Sequence, residues 1–311
     1  MNKLLKNKKL FFGVIGTAVA VVAGVIALAM WPKKEGYRTI QIYKLDGRAE
    51  VNRQNQGTIE PYVNMMLQSG DEVKTYEESY LYLKMDEDKF LLAEPLTRFR
   101  LEASGTARNS RTKIELDEGA VVNHITEPLS KESSYEVKSP NSTMAVRGTS
   151  FRVYVWYDEN GVSHTVLEVF EGIVSVKLIY PDGSESGESR QFRAGQTAFI
   201  WGNSETSDYD FVEDTIDYYE LDIPTLEFLK IAIDELKNYN ITIPDVDEII
   251  RLKQTYFDVI FKVGEEEFGR QSVLFDHTAH EPAFRPTLAG RWDFDFETAI
   301  RGETEIQWIE E

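Results

Sequence analysis

The chain has 311 residues, of which 42% are hydrophobic, so it can hold a membrane helix and one or two domains with a sizeable core. It contains no cysteine, which excludes a disulfide framework and the usual cysteine-linked lipid anchor. Its net charge of −19 at pH 7 argues against binding to nucleic acid or to an anionic lipid surface.

The N-terminus has the pattern of a membrane anchor. Residues 1–9 carry four lysines and no acidic residue, and the run from Leu10 to Trp31 is 22 residues without a charge. As a helix this run is about 33 Å long, enough to cross a hydrocarbon core of about 30 Å. The positive-inside rule then keeps residues 1–9 in the cytoplasm. We therefore predict a single-pass protein of the cell membrane with residues from Pro32 onward outside the cytoplasm.

Two further features bear on this segment. A cleaved signal peptide usually has an apolar stretch of only about 7–15 residues, which favours an uncleaved anchor, although Ala27-Leu28-Ala29 is similar to a cleavage site. The small residues Gly16, Ala20 and Gly24 recur every four positions and would allow two such helices to approach closely. The sequence leaves cleavage and the oligomeric state open.

Residues 37–203 read as a series of short strands with a turn every eight to twelve residues. This spacing is typical of an all-β sandwich, barrel or solenoid. Asp46-Gly47 predicts a hairpin between the first two strands, Asp117-Glu118-Gly119 predicts a turn, and residues 158–161 predict another hairpin. The predicted strands are 39–45, 48–53, 72–75, 80–85, 90–93, 97–101, 113–116, 120–125, 151–156, 164–170, 173–180 and 196–201.

An ordered set of motifs marks the same region. The motifs are Gly70-Asp71, a leucine-rich hairpin from Leu81 to Thr97, a strand-glycine step from Ile114 to Gly119, Val146-Arg147-Gly148-Thr149, a Glu-Gly-x-Val-x-Val run from Glu171 to Val176, and Gly195-Gln196. Together they resemble the extracytoplasmic domain of the FecR family, the iron-dicitrate transport regulators. The resemblance extends over about residues 37–201 and implies an antiparallel β-sandwich or twisted solenoid-like domain without catalytic activity.

The resemblance also implies a signal relay. Such a domain receives an input outside the cytoplasm and passes it through one membrane helix to a cytoplasmic anti-sigma segment. Here only nine residues precede the apolar run, so we do not expect this chain to hold a sigma factor directly. No C-terminal subdomain of the family is evident, which puts docking to an outer-membrane transporter in doubt.

Val146-Arg147-Gly148-Thr149 is the most recognisable of these motifs. Gly148 is expected to adopt a backbone conformation that other residues avoid, at a turn or bulge between two strands. Arg147 offers five donors in a fixed arrangement, which favours a structural role in tying neighbouring carbonyls or a carboxylate together. A ligand contact by Arg147 is the alternative.

Residues 204–311 form a region of different character. They carry 9 basic and 27 acidic side chains, against 21 and 26 for residues 32–203. Apolar residues at helical spacing predict helices over about 224–239 and 245–256, forming a helical hairpin that packs on the β domain. A strand is predicted at 259–263 and a turn at 264–267, and residues 271–311 have no assigned structure.

Candidate sites of catalysis or metal binding are few. His277 and His280 could share a metal only on a helix, which Pro282 disfavours, so a solvated loop is expected there. Residues 293–297 alternate acids with aromatics, which favours a strand with one wet face over a calcium site. Ser150 has no histidine near it in sequence. We therefore predict no catalytic, cofactor-binding or metal-binding residues and no cofactor.

The sequence thus favours a membrane-anchored extracytoplasmic sensor or binding protein that is not an enzyme and has an envelope protein as partner. One alternative is an envelope scaffold or adhesion module without signalling. The other is a glycoside hydrolase that uses paired carboxylates, because the 53 acidic residues keep that chemistry open. Two buried carboxylates facing each other across a deep groove would support the hydrolase.

Overall fold

The computed structural model describes residues 38–202, 209–235, 245–283, 285–287 and 289–310. The predicted membrane helix at 10–31 and the predicted helix link at 240–244 lie outside the described residues. Within the described ranges, no helix combines the length and the apolar character needed to cross a membrane.

The described residues up to 215 form a β-sandwich. Its strands are β1 Ile40–Asp46, β2 Ala49–Arg53, β3 Gly57–Ile59, β4 Glu72–Thr75, β5 Tyr80–Met85, β6 Lys89–Ala93, β7 Arg98–Gly105, β8 Ser110–Ile125, β9 Ser134–Lys138, β10 Ser142–Val146, β11 Ser150–Tyr157, β12 Ser163–Glu171, β13 Ile173–Leu178, β14 Arg190–Arg193, β15 Gln196–Gly202 and β16 Tyr209–Thr215. Sheet I has the order β1-β5-β6-β8-β11-β12-β15-β16, and sheet II has the order β3-β2-β4-β7-β8-β9-β10-β13-β14. The pairing is antiparallel except between β8 and β9. The predicted antiparallel sandwich is confirmed.

The long strand β8 belongs to both sheets. Its first half pairs with β7 and β9 in sheet II, and its second half pairs with β6 and β11 in sheet I. The predicted turn at residues 117–119 is therefore wrong, because the chain bends there without reversing. Gly119 makes the bend with φ of +80°, and a Cβ at this position would lie 2.4 Å from the Cα of Thr97.

The predicted Asp46-Gly47 hairpin is also wrong. β1 pairs with β5 in sheet I, whereas β2 pairs with β3 and β4 in sheet II. Asp46-Gly47 therefore forms a corner that carries the chain across the sandwich. The backbone N–H of Arg48 donates to Oγ of Ser79, in the corner between β4 and β5, at 2.9 Å. The chain crosses between the sheets again after β4, β6, β8, β10, β12 and β14.

Alternate side chains from both sheets fill the interior. The central residues of this core are fully buried, among them Ile42, Leu83, Phe99, Phe151 and Val174. Burial of an apolar side chain of this size contributes about 1.5–3 kcal/mol. Since the chain has no disulfide, apolar burial is the main force that holds the two sheets together.

Two helices cover part of the outer face of sheet I. They are α1 Ile223–Glu235 and α2 Val246–Lys253, close to the predicted positions. Leu226 and Leu229 of α1 pack with Tyr82, Leu92 and other outward-facing residues of the sheet, forming a second apolar cluster. The predicted packing of helices on the β domain is thus confirmed for the described residues.

A small third apolar cluster occupies the C-terminus, where the sequence predicted strands only at 259–263 and 293–297. The strands are β17 Tyr256–Val263, β18 Glu266–Leu274, β19 His277–Thr278, β20 Gly290–Trp292, β21 Ala299–Ile300 and β22 Thr304–Glu310. Four of them form a sheet in the order β18-β17-β22-β20, and β19 pairs with β21. Trp292 and Trp308 pack edge to face, with ring centroids 5.1 Å apart.

Candidate functional site

Two of the motifs that marked residues 37–201 meet at one edge of the sandwich. Gly148 lies between β10 and β11 with φ of +147°, and Gly172 lies between β12 and β13 with φ of +76°. A Cβ on Gly172 would lie 2.5 Å from the carbonyl oxygen of Gly148. The expected unusual backbone at Gly148 is confirmed, and the two crossings need glycine because they touch.

Arg147 does not have the structural role expected of it. Its side chain is exposed and has no hydrogen bond or ion pair with the described residues. Only its backbone takes part in the corner, where its carbonyl accepts from the N–H of Leu129 at 2.7 Å. The interpretation of the guanidinium as a tie between neighbouring carbonyls is therefore wrong. The side chain borders an open groove of about 500 Å³ on sheet II.

Substitutions of Gly148 and Arg147 should have different effects on the free energy of unfolding. Gly148→Val should lower the free energy of unfolding by about 1–3 kcal/mol, because valine must adopt a strained positive φ. Arg147→Ala should change it by no more than about 0.5 kcal/mol, as expected for an exposed side chain without partners. Urea unfolding of both variants checks this. A large loss in Arg147→Ala would restore the structural interpretation of its side chain.

Asp71 of the Gly70-Asp71 motif also has a structural role. Its carboxylate is 1% exposed and accepts two hydrogen bonds from the Arg53 guanidinium, at 2.9 and 2.7 Å. It also accepts from the backbone N–H of Gln68 at 2.8 Å. This bidentate pair joins the loop before β4 to the end of β2.

The fold brings a histidine to Ser150, which the sequence did not indicate. Nδ1 of His124 on β8 lies 2.6 Å from Oγ of Ser150, and this hydroxyl donates to Oε2 of Glu171 at 3.0 Å. In a serine hydrolase the imidazole accepts the serine proton, whereas here that proton points to Glu171 and His124 must be the donor. Ser150 is also fully buried. The arrangement thus lacks the geometry of a nucleophile.

The two C-terminal candidates have local roles. His277 lies on β19, with Nδ1 3.1 Å from the carbonyl oxygen of Phe275, and His280 donates its backbone N–H to Gln271. The helix that a shared metal would need does not form. No metal-binding group of three or more ligands occurs within the described ranges.

Residues 293–297 form a turn, so the expected strand is wrong there. Oδ1 of Asp293 accepts the backbone N–H of Gln307 at 2.6 Å, and Oδ1 of Asp295 accepts that of Glu297 at 3.0 Å. These aspartates therefore satisfy backbone donors at the end of the small C-terminal sheet.

A further concave site lies on sheet I, beside the segment that leads into α1. We call it the junction cleft. It has a volume of about 430 Å³. Its lining comes from β11, β12, β15, the end of β16 and the segment between β16 and α1. The lining residues are Arg152, Tyr154, Val166, Glu168, Thr197, Phe199, Thr215, Asp217 and Glu220. It combines an apolar floor with an acidic rim, because Tyr154 and Phe199 are exposed aromatics and Asp217 and Glu220 are exposed acids.

The inner end of the cleft is a buried charge network centred on Arg152. Its Nε and Nη2 both donate to Glu94 at 2.8 Å, and its Nη1 donates to Glu168 at 2.9 Å. Burial works against the charged form of Arg152, but the two carboxylates outweigh it and raise its pKa. Burial raises the pKa of Glu168, with Arg152 opposing the shift and Glu94 adding to it. The guanidinium thus holds two carboxylates that are only 5% and 6% exposed.

The same network reaches the first turn of α1. Oγ1 of Thr225, which is fully buried, donates to Oε1 of Glu94 at 2.6 Å. The segment between β16 and α1 also contributes Asp217 and Glu220 to the cleft rim. The cleft is therefore connected to the helical pair by a hydrogen-bond chain and by the polypeptide itself.

One polar group in the cleft has no partner. Oγ1 of Thr197 is buried, the residue being 3% exposed, and it has no hydrogen-bond partner in the part of the chain that the structure describes. A buried hydroxyl without a partner is uncommon and costs about 1–3 kcal/mol. Its position in the lining of the cleft offers a polar anchor for a bound group.

Sequence reasoning missed the cleft, although one signal was present. Glu168 interrupts the apolar run Val166-Leu167-Glu168-Val169-Phe170, and Arg152 occupies the directly opposite position on β11. A charge within such a run points to a buried ion pair. Its partner could not be identified before the pairing of β11 with β12 was known.

Comparison with known proteins agrees with the motif analysis. The sequence profile of the FecR protein family matches residues 71–175, which confirms the resemblance for that segment. Two crystal structures from Parabacteroides distasonis ATCC 8503, both provisionally described as an anti-sigma factor, align with 77% of this chain. They cover 99% and 98% of their own chains, at 11% and 10% identity, with TM-scores of 0.38 and 0.37. No curated protein matches the sequence.

Proposed function

We propose that this chain, whose residues 71–175 match the FecR family profile, is a membrane-anchored extracytoplasmic sensor or binding protein. It acts in envelope signalling without catalysis. The junction cleft is its binding site. The observation that carries the proposal is the position of the cleft, which lies on sheet I beside the segment that leads into α1. Its Arg152 is joined to Thr225 of α1 through the carboxylate of Glu94. A bound partner would change the contacts of the segment that leads into α1.

The carboxylate arrangement favours binding over hydrolysis. A glycosidase needs one carboxyl group to donate a proton and a second to act as base or nucleophile on the substrate. Both oxygens of Glu94 accept from Arg152, and one also accepts from Thr225. Glu168 shares the same guanidinium. The two acids are thus held by one cation and do not face each other across a groove.

The test is site-specific photo-crosslinking in cells with the full chain. A benzophenone amino acid in place of Phe199 places the probe in the cleft, and the same probe at Tyr62, which is 63% exposed in the loop after β3, is the control. We expect a defined adduct, in the membrane fraction, from position 199 only. Equal adducts from both positions, or none from position 199, would contradict binding at the cleft.

Deletion of the coding sequence separates signalling from scaffolding. A regulator predicts a transcriptional response to the deletion. An unchanged transcript profile together with a position-199 adduct would instead identify an envelope scaffold or adhesion module.

A further inference from the structure

We propose that the junction cleft binds a basic side chain, the guanidinium of arginine or the ammonium of lysine, presented by a peptide segment. The inference rests on the proposed function and adds the chemical class of the bound group. Three features carry it: the distribution of charge, the apolar floor and the unpartnered hydroxyl of Thr197.

The charged side chains that line the cleft favour a ligand with a positive charge. Three carboxylates line the cleft, those of Glu168, Asp217 and Glu220, against one cation, Arg152. Nε, Nη1 and Nη2 of Arg152 all donate to Glu94 or Glu168. Since this guanidinium is committed to two buried acids, an incoming anion would meet the acidic rim instead. A cation would be attracted.

The negative charges of Asp217 and Glu220 also act on a neighbouring cation, Arg301. Its Nε donates to Asp276 at 2.7 Å, and its pKa is raised chiefly by this hydrogen bond, with Asp217 and Glu220 adding to the shift. The guanidinium also lies over the ring of Tyr219, 5.8 Å from its centroid. Arg301 remains paired with Asp276, so the rim carboxylates of the cleft are not neutralised by a direct ion pair with it.

The apolar floor fits the rest of a long basic side chain. Tyr154 and Phe199 are 37% exposed each, and Val166 lies between them in register with both. Arginine and lysine place their methylene stems on such surfaces while the charged head reaches polar groups. Arg152 already lies over the Tyr154 ring at 5.3 Å, so the site accommodates a guanidinium against an aromatic face.

Thr197 supplies the second, independent indication. Its buried Oγ1 is without a partner, although such a group normally finds one. A hydroxyl can accept a hydrogen bond from a guanidinium or ammonium N–H, which would satisfy Thr197 at the same time as the carboxylates. The unbound cleft thus carries an unmet hydrogen bond that a cationic donor would complete.

The test uses the full-length chain in detergent micelles and two neutral-capped tripeptides, acetyl-Gly-Arg-Gly-amide and its citrulline counterpart. Citrulline keeps the shape of arginine but has no charge. Calorimetric titration should give at least about tenfold tighter binding of the arginine peptide. The double change Asp217→Asn with Glu220→Gln should weaken that binding at least about fivefold. The control Glu185→Gln, at an exposed acid between β13 and β14, should leave it unchanged.

The variant Thr197→Val distinguishes an effect on ligand affinity from an effect on thermal stability. Valine keeps the shape and removes the unpaired hydroxyl, so thermal stability should stay equal or rise, while affinity for the arginine peptide falls severalfold. Equal affinities for the arginine and citrulline peptides, or no binding of either, would overturn the proposal. If the crosslink at position 199 then still forms, the ligand class is wrong and the binding function stands. If that crosslink is also missing, both proposals fail.

Discussion

Arg152→Met should be among the most damaging single substitutions in this protein, lowering the free energy of unfolding by about 3–5 kcal/mol. The change leaves Glu94 and Glu168 buried without their cation, although methionine fills much of the volume. Removal of one partner from a buried ion pair is costly for this reason. Urea unfolding at pH 7 measures the loss.

The pH dependence of this loss has a definite sign. Burial raises the pKa of Glu168, and Arg152→Met removes the cation that opposes this shift, so the folded variant holds the Glu168 proton more tightly than the unfolded chain does. Stability of the variant should therefore recover relative to the parent as the pH falls through the raised pKa of Glu168. If the loss of unfolding free energy in Arg152→Met stayed constant from pH 8 to pH 5, the assignment of this loss to buried, unpaired carboxylates would be contradicted.

Matched variants isolate the charge effect. Adding Glu94→Gln and Glu168→Gln to Arg152→Met should recover a substantial part of the lost stability, because no buried charge remains. Arg270→Met is the control for loss of an exposed pair, since Arg270 pairs with Asp258 and Glu267 at the surface. It should cost no more than about 1 kcal/mol. Equal losses in Arg152→Met and Arg270→Met would show that burial does not matter here.

Gly172→Ala is the second substitution with a large expected effect. The new Cβ would lie 2.5 Å from the carbonyl oxygen of Gly148 and 2.6 Å from Cγ2 of Thr149, so the two sheet crossings must move apart. Backbone strain and overpacking each cost about 1–3 kcal/mol, which gives an expected loss of about 2–6 kcal/mol. Thermal and urea unfolding measure it.

Gly161 provides an internal control for this experiment. It has the same φ of +76° as Gly172, but a Cβ there would have no atom within 4 Å. Gly161→Ala therefore reports the backbone strain alone, about 1 kcal/mol. The difference between the two alanine variants is the cost of separating the crossings. Similar losses at both positions would mean that the contact between Gly148 and Gly172 adds nothing.

The glycine contacts explain why two motif positions of this region require glycine. Gly119 bends β8 past Thr97, and Gly172 passes Gly148, at points where the chain lies against another crossing. These positions shape the sandwich, whereas the junction cleft is lined by charged and aromatic side chains that can contact a partner. The cleft, and not the motifs, is therefore where we expect partner specificity to be set.

The sequence by itself determined most of the local structure. Alternation of apolar residues located eleven of the sixteen strands of the sandwich, and helical spacing located α1 and α2. The strands that it missed are β3, β9, β10, β14 and β16. The ordered motifs indicated the FecR family, whose sequence profile matches residues 71–175. Each of these signals depends on residues close together in the chain, because strand and helix periodicity and turn preferences are local properties.

Only the tertiary structure decided which strands pair and which charges meet. Asp46-Gly47 has the sequence of a hairpin turn, yet it forms a corner, because β1 pairs with β5 in one sheet and β2 pairs with β3 and β4 in the other. Arg152 lies 58 residues from Glu94, and Thr225 lies 131 residues from it, so their network arises only from the folded chain. Local preference cannot specify such contacts, since burial and pairing over the whole sandwich outweigh the propensity of any single turn.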